Sequence, residues 1–391
     1  MKMNKLLIKN VLLDGRKTNI LIENGLFSSF DVADSADARE VLDAEGKAIL
    51  PAFYNTHCHA AMTLLRGYAD DMPLKPWLEE YIWPFEDGLK SEDIKEGSRL
   101  AVAEMVDTGT VFFNDMYFDI DRTGDVVREA GIRACLGVTF MDNHSLALRN
   151  EKTRYIRDWK DNNDGVTISA APHAIYTASE ETLRYAARLA RETGIKLHIH
   201  LSETQGEVSD CIRQHGMSPV RYLDSLGFLG PDVIAAHCVH LDKEEWDILA
   251  ERGVTVAHCP CSNMKLGSGR FNYELALSSG ARVTLATDGC SSNNNLDMRE
   301  EMKFAALLAK VNGDPSLLSA AEVLKWATVN GAEAFGINGG LIEKGRVADA
   351  ILIDMDNPKM KPCHNIVSNW VYSADSSAIS AVICGGHIIK N

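Results

Sequence analysis

No stretch of this sequence approaches the ~20 consecutive apolar residues that a membrane-spanning helix needs. No CxxC pair occurs; the nine cysteines are scattered, and Cys259-Pro260-Cys261 is their closest approach. A long chain without a cysteine framework is expected to be reduced and cytoplasmic, with most of its cysteines serving as small core residues. Positive charge is scarce: 40 Lys and Arg against 55 Asp and Glu leave a net charge of −15. That balance weighs against nucleic acid and anionic membrane surfaces as partners. Internal repeats and low-complexity segments are missing. The start Met1–Leu6 turns polar again at Lys9-Asn10, without the apolar stretch of a signal peptide. What is present is an ordinary globular composition, 46% hydrophobic and 24% charged over 391 residues. That length suits two or three domains, or one barrel with an appendage.

Residues 1–47 carry short β-like runs, Leu6–Ile8, Val11–Leu13 and Asn19–Ile22, punctuated by turn signals at Asp14-Gly15 and Asn24-Gly25. From 48 to about 290 the pattern changes. Apolar strand-like runs recur at Ala48–His57, Thr110–Tyr117, Ala134–Phe140, Val166–His173, Lys196–Glu203, Val233–His240, Val254–Pro260 and Val283–Gly289. Amphipathic helical stretches lie between them, among them Ile94–Thr108, Glu180–Thr193, Pro219–Leu226 and Asp242–Arg252. Eight buried strands alternating with helices predict an α/β chain folded as a (β/α)8 TIM-type barrel. Helical character follows at Asp297–Val311 and Ala320–Phe335. β character then returns at Gly345–Ile353, Trp370–Tyr372 and Ala381–Ile389. Both chain ends are therefore expected to build one small β-sandwich-like domain, from 1–50 and 343–391, flanking a barrel over 51–342.

Such a barrel keeps its active site at the C-terminal ends of its strands. Strand residues two apart share a face, so His57 and His59 present two imidazoles to one point. Other polar residues close the runs at His173, at His198, His200 and Glu203, at His237 and His240, and at Asp288. A single histidine in such a place is usually solvated or structural. The ordinary reading has no reason to align several at one rim. Three imidazoles and one carboxylate suit a borderline cation such as zinc, with one position kept for water. Asp288 could ligate and take a proton. Glu203, three residues beyond His200, could pass one to a substrate. Taken alone, Glu203 is equally a loop acid or a helix cap.

Here the residues meet a known pattern. The runs Pro51–His59 and Met62–Asp71, Trp77-Leu78-Glu79 with Pro84-Phe85-Glu86, and His200-Leu201-Ser202-Glu203-Thr204 resemble the amidohydrolase superfamily. Ala236–Leu241, Ser262–Gly269, Thr287–Asn294, Asn330-Gly331-Ala332 and Gly345–Asp349 extend the likeness over essentially the whole chain. Within it, the sequence is similar to the 5′-methylthioadenosine/S-adenosylhomocysteine deaminase branch, whose relatives include triazine chlorohydrolases and guanine deaminase.

The resemblance implies one divalent metal held by His57, His59, His200 and Asp288. Zinc is the first choice; iron, manganese or nickel suit the same ligands. It implies Glu203 as proton shuttle and His237 as the group that orients the attacking water. Trp77 would line the nucleoside pocket, Glu86 would bind ribose hydroxyls, and His173 and Ser292 would touch substrate. Otherwise Trp77 is a packing aromatic and Glu86 a solvated acid; His240 is read as structural. The Gly-Gly-Arg context that supplies a carboxylate-binding arginine is missing, and Leu136 stands at that position. Arg149 falls near the second arginine. The expected substrate is therefore a smaller adenosine-type nucleoside, namely 5′-methylthioadenosine, 5′-deoxyadenosine or adenosine, rather than S-adenosylhomocysteine. A related hydrolase of guanine, a pterin or a triazine is the alternative. A homo-oligomer, dimer or tetramer, is implied.

Overall fold

The structure, a computed structural model, describes residues 5–311 and 313–391. Met1–Asn4, on which part of the signal-peptide expectation rests, lie outside the described residues. Parallel strands Phe53–His59, Thr110–Tyr117, Arg133–Phe140, Val166–Pro172, Lys196–Leu201, Val233–His237 and Thr255–His258 pair each with the next. The eighth barrel strand is broken in two. Arg282–Leu285 pairs with the seventh strand, and Asp288–Gly289 pairs with the first, closing the ring. At the break, Asn55 of the first strand replaces a backbone partner: its Oδ1 accepts from Thr287 N at 3.1 Å. Strands such as Thr110–Tyr117 are buried at every position, as a sheet covered by helices on one face and filled on the other requires. The helices follow their sequence signals. Glu180–Thr193 ends at Gly194, whose φ of 72° only glycine adopts freely. Lys243–Arg252 starts from an Asp242–Glu245 capping box.

The terminal sheet has eight strands, five from Lys5–Pro51 and three from Ala350–Lys390. The runs 6–8 and 11–13 form one strand, Lys5–Leu13, with a bulge between Ile8 and Val11. Asp14 (φ 49°) with Gly15, and Asn24 (φ 52°) with Gly25, make the left-handed hairpin turns that such pairs favour. The sandwich is a single mixed sheet rolled over itself, until Leu26 bridges Val347, around a core that includes Leu6, Ile20, Phe27, Leu352 and Ile383.

Two expectations are corrected. The run Ala48–His57 is two strands serving two sheets. Lys47–Pro51 pairs antiparallel with Ala350–Asp354, the chain turns at Ala52, and Phe53–His59 enters the barrel. Continuous apolar character conceals that break. Trp370–Tyr372 lies not in a strand but in the helix Ile366–Tyr372, whose N-cap Asn365 accepts from Ser368 N at 2.8 Å. Its aromatic residues signal burial, not strand: Trp370 stacks on Phe53 at 6.3 Å. The two units are tied together by buried Asp349, which takes the Tyr54 hydroxyl and the Arg133 guanidinium from the barrel and Gly385 N from the sheet.

Candidate active site

Polar side chains meet where the barrel strands end. Four non-glycine residues there hold left-handed backbone: Ser202 (φ 50°), His237 (φ 71°), Cys238 (φ 50°) and Asp288 (φ 59°). Each costs on the order of 1–3 kcal/mol and persists only where the surroundings enforce it, as active sites commonly do. At Ser202 the enforcing group is visible. The buried Glu207 carboxylate accepts from Ser202 N at 2.9 Å and Glu203 N at 2.8 Å, fixing the turn that carries Glu203.

His57, His59, His200 and Asp288 converge at the inner end. Asp288 Oδ1 lies 3.3 Å from His57 Nε2 and 3.2 Å from His59 Nε2, and His200 Nε2 lies 3.3 Å from His59 Nε2. The outer ring nitrogens are held from behind. His59 Nδ1 meets Met116 O at 2.7 Å, His200 Nδ1 meets His173 O at 2.8 Å, and His57 Nδ1 meets His198 Nε2 at 2.8 Å. Ser262 and Ser292 donate to Asp288 Oδ2 at 2.6 and 2.9 Å. Burial works to raise the Asp288 carboxyl, but the close His57 and His59 imidazoles overcome it and hold the group well below the usual carboxylate range. His57 Nε2 is buried without a hydrogen-bond partner. An orphaned imidazole nitrogen, two more aimed at the same point and an ionised carboxylate would suit a divalent cation, and the backing contacts are those that orient metal-binding histidines. His57, His237 and Cys259 also approach one another, but burial pushes the Cys259 thiol far up and its Sγ turns to Ala257 O at 3.6 Å.

Beside this cluster His237 Nε2 lies 3.8 Å from Glu203 Oε2, and Ser268 donates to Glu203 Oε1 at 3.1 Å. Burial raises the Glu203 carboxyl, with His237 opposing, so it can carry a proton in a dry site. His59, His173, His200, Glu203, His237, Asp288 and Ser292 line one end of a cavity of about 1010 Å³. Trp77 and Glu86 line it further out, on the short irregular helical turns Trp77–Ile82 and Trp83–Glu86. Glu86 Oε1 is buried and unpartnered; burial raises its carboxyl to about 7, with the Tyr117 hydroxyl opposing.

Two residues, Arg149 and Ser292, stand differently from expectation. Arg149 is not in the cavity. On the helix Leu146–Asp158, Leu148, Glu151, Lys152 and Tyr155 face the cavity at helical spacing. Arg149 turns the other way, to Glu181 at 3.0 Å and over the Tyr185 ring at 4.2 Å. Ser292 spends its hydroxyl on Asp288 and Gly289 O. His240, read as structural, donates from Nε2 to Ser268 O at 2.6 Å, outside the cluster. Two residues escaped the sequence reading of roles. The alternation that pairs His57 with His59 also pairs His198 with His200, and His198 backs His57. Asn263, which meets His237 Nδ1 at 2.9 Å, gave no signal beyond its motif.

Residues 48–389 match the amidohydrolase family. The chain belongs to that family. It is 48% identical over 353 residues to a 5-methylthioadenosine/S-adenosylhomocysteine deaminase of Archaeoglobus fulgidus, covering 89% of this chain and 84% of that one. It is 44% identical over 381 residues to a 5′-deoxyadenosine deaminase of Methanothermobacter thermautotrophicus, covering 96% and 89%. Among solved structures, an adenosine deaminase of Xanthomonas campestris with bound zinc superposes with a TM-score of 0.90 at 33% identity, covering 98% and 92%.

Proposed function

We propose that this amidohydrolase is a hydrolytic deaminase of adenosine-type nucleosides, acting on 5′-methylthioadenosine, 5′-deoxyadenosine or adenosine and releasing ammonia. The observation that carries this reading is the cavity itself. One end presents His59, His200 and Asp288, with buried His57 beside them, facing the Glu203–His237 pair, and the outer part presents Trp77 and an unpartnered Glu86. Relatives named for methylthioadenosine and deoxyadenosine support it.

A divalent cation, zinc by this donor set, would be held by His57, His59, His200 and Asp288, and supplies the Lewis acidity that makes water a nucleophile at neutral pH. The residues do the rest. His237 orients the attacking water toward the amine-bearing ring carbon, and Asp288 accepts the proton that the water loses. Glu203, protonated in its buried site, gives a proton to the adjacent ring nitrogen as the ring loses aromaticity. The proton that Asp288 took goes to the amine, which leaves as ammonia, and the proton of the added hydroxyl returns to Glu203, so that nucleoside and water become the oxo-purine nucleoside and ammonia. Trp77 walls the nucleoside, Glu86 accepts from ribose hydroxyls, and His173 touches the base. No arginine lines the cavity among the described residues, and Lys152 is its one lysine. Burial lowers Lys152 to about 8, and its Nζ is engaged by Thr139 O, Thr139 Oγ1 and His144. That favours an uncharged 5′ group over the carboxylate of S-adenosylhomocysteine. No helix among the described residues is long and apolar enough to cross a membrane. A cytoplasmic purine-salvage role in a dimer or tetramer completes the reading; light scattering of the purified protein checks the assembly.

The test is turnover of a panel of adenosine analogues with ammonia detection. Ammonia from 5′-methylthioadenosine or 5′-deoxyadenosine supports the reading. Ammonia from guanine or a pterin, with none from any adenosine analogue, overturns it.

A further inference from the structure

Asn263 sits in the short helix Pro260–Lys265 directly behind His237, and both residues are buried. Its main chain is tied at both ends: Asn263 N donates to Cys259 O at 3.0 Å, and Asn263 O accepts from Ser268 N at 2.9 Å. Its side-chain Oδ1 meets His237 Nδ1 at 2.9 Å. An amide oxygen has no proton to give, so the hydrogen of this bond belongs to His237 Nδ1. In a neutral imidazole the other nitrogen is then bare. That nitrogen, Nε2, is the one 3.8 Å from Glu203 Oε2 at the wall of the substrate cavity. The side-chain Nδ2 of Asn263 has no protein partner. The residue also lines a second cavity of about 220 Å³ with His258, Phe271 and Tyr273, roomy enough for a water to reach such a group.

We propose that Asn263 is a positioning residue that fixes His237 as the Nδ1–H tautomer and so turns a hydrogen-bond acceptor, Nε2, toward the attacking water. His237 needs such a device. Its left-handed backbone places the ring but leaves the proton free to sit on either nitrogen. With the proton on Nε2 the ring would donate into the site and could not take a hydrogen bond from the water. The consequence for activity rests on the deaminase reading; the tautomer itself does not.

Three variants and one spectrum test this. Asn263→Leu keeps the volume and removes the acceptor. Asn263→Asp keeps an acceptor and removes the donor. His237→Asn identifies the His237 resonances by subtraction. Long-range proton–nitrogen correlation spectra of histidine-labelled protein are expected to show protonated Nδ1 and bare Nε2 in the wild type and in Asn263→Asp, and a mixture in Asn263→Leu. For an acid–base group of this kind, kcat in Asn263→Leu should fall about 100-fold. KM and bound metal should stay near wild type, while Asn263→Asp retains most of kcat. A wild-type spectrum with protonated Nε2 overturns the proposal. So does undiminished kcat in Asn263→Leu, or equal losses in Asn263→Leu and Asn263→Asp. If the wild type deaminates no nucleoside, the spectra still decide the tautomer, and only the deaminase reading falls.

Discussion

The two ends of the main cavity are built differently. At the inner end each side chain of the cluster is held by a second group: His57 by His198, His59 by the Met116 carbonyl, His200 by the His173 carbonyl, and Asp288 by Ser262 and Ser292. These groups stand on strands of a closed sheet. At the outer end Trp77 and Glu86 stand on short helical turns, Glu86 Oε1 has no partner, and Lys152 is held only by neutral acceptors. On the proposed reading the locked end would set the reaction and the less constrained end would choose the nucleoside, the division expected when binding loops are mounted on a fixed scaffold.

The largest effect should come from breaking the inner end. Asp288→Ala removes the one carboxylate of the cluster; metal analysis after dialysis should find the cation lost and deaminase activity at background. Glu203→Gln comes next. It should lower kcat on the order of 10³-fold while the metal stays bound, because the amide cannot shuttle a proton. Loss of metal in that variant would make Glu203 a ligand instead.

The outer end should respond through KM. Glu86 binds hydroxyls best as a carboxylate, and burial holds its pKa at about 7. KM should therefore fall as pH rises through about 7, and Glu86→Gln should abolish that dependence and raise KM. The smallest effect belongs to Arg149→Ala. Its partner Glu181 is largely exposed, so stability should change by no more than about 1 kcal/mol in thermal unfolding, with kcat/KM unaltered. A large rise in KM for nucleosides carrying a carboxylate tail would return Arg149 to the cavity.

This contrast also explains what the sequence disclosed. Barrel strands are buried on both faces, so their apolar runs stand out, and strand alternation with strand-end position set His57, His59, His173, His200, His237 and Asp288 at one rim; the family resemblance singled out His57, His59, His200 and Asp288 among them. The same regularity concealed the break at Ala52, because one apolar run serves two sheets. The helix Ile366–Tyr372 was masked by aromatic residues that pack equally well in either structure. Arg149 was misjudged for want of helical phase: Leu148, Lys152 and Tyr155 form one stripe, and Arg149 lies off it. His198 shares the alternation of His200 but its role, like that of Asn263, lies in a contact with a distant side chain, which leaves no local pattern.

The central claim is that the inner cluster holds one catalytic cation. The direct measurement is to strip the protein with a chelator, return zinc in steps, and follow both bound metal and ammonia release from 5′-methylthioadenosine. Activity should vanish on stripping and rise in proportion to zinc up to one equivalent per chain. Full ammonia release by the stripped protein, or restored zinc binding without turnover of any adenosine analogue, would contradict the account.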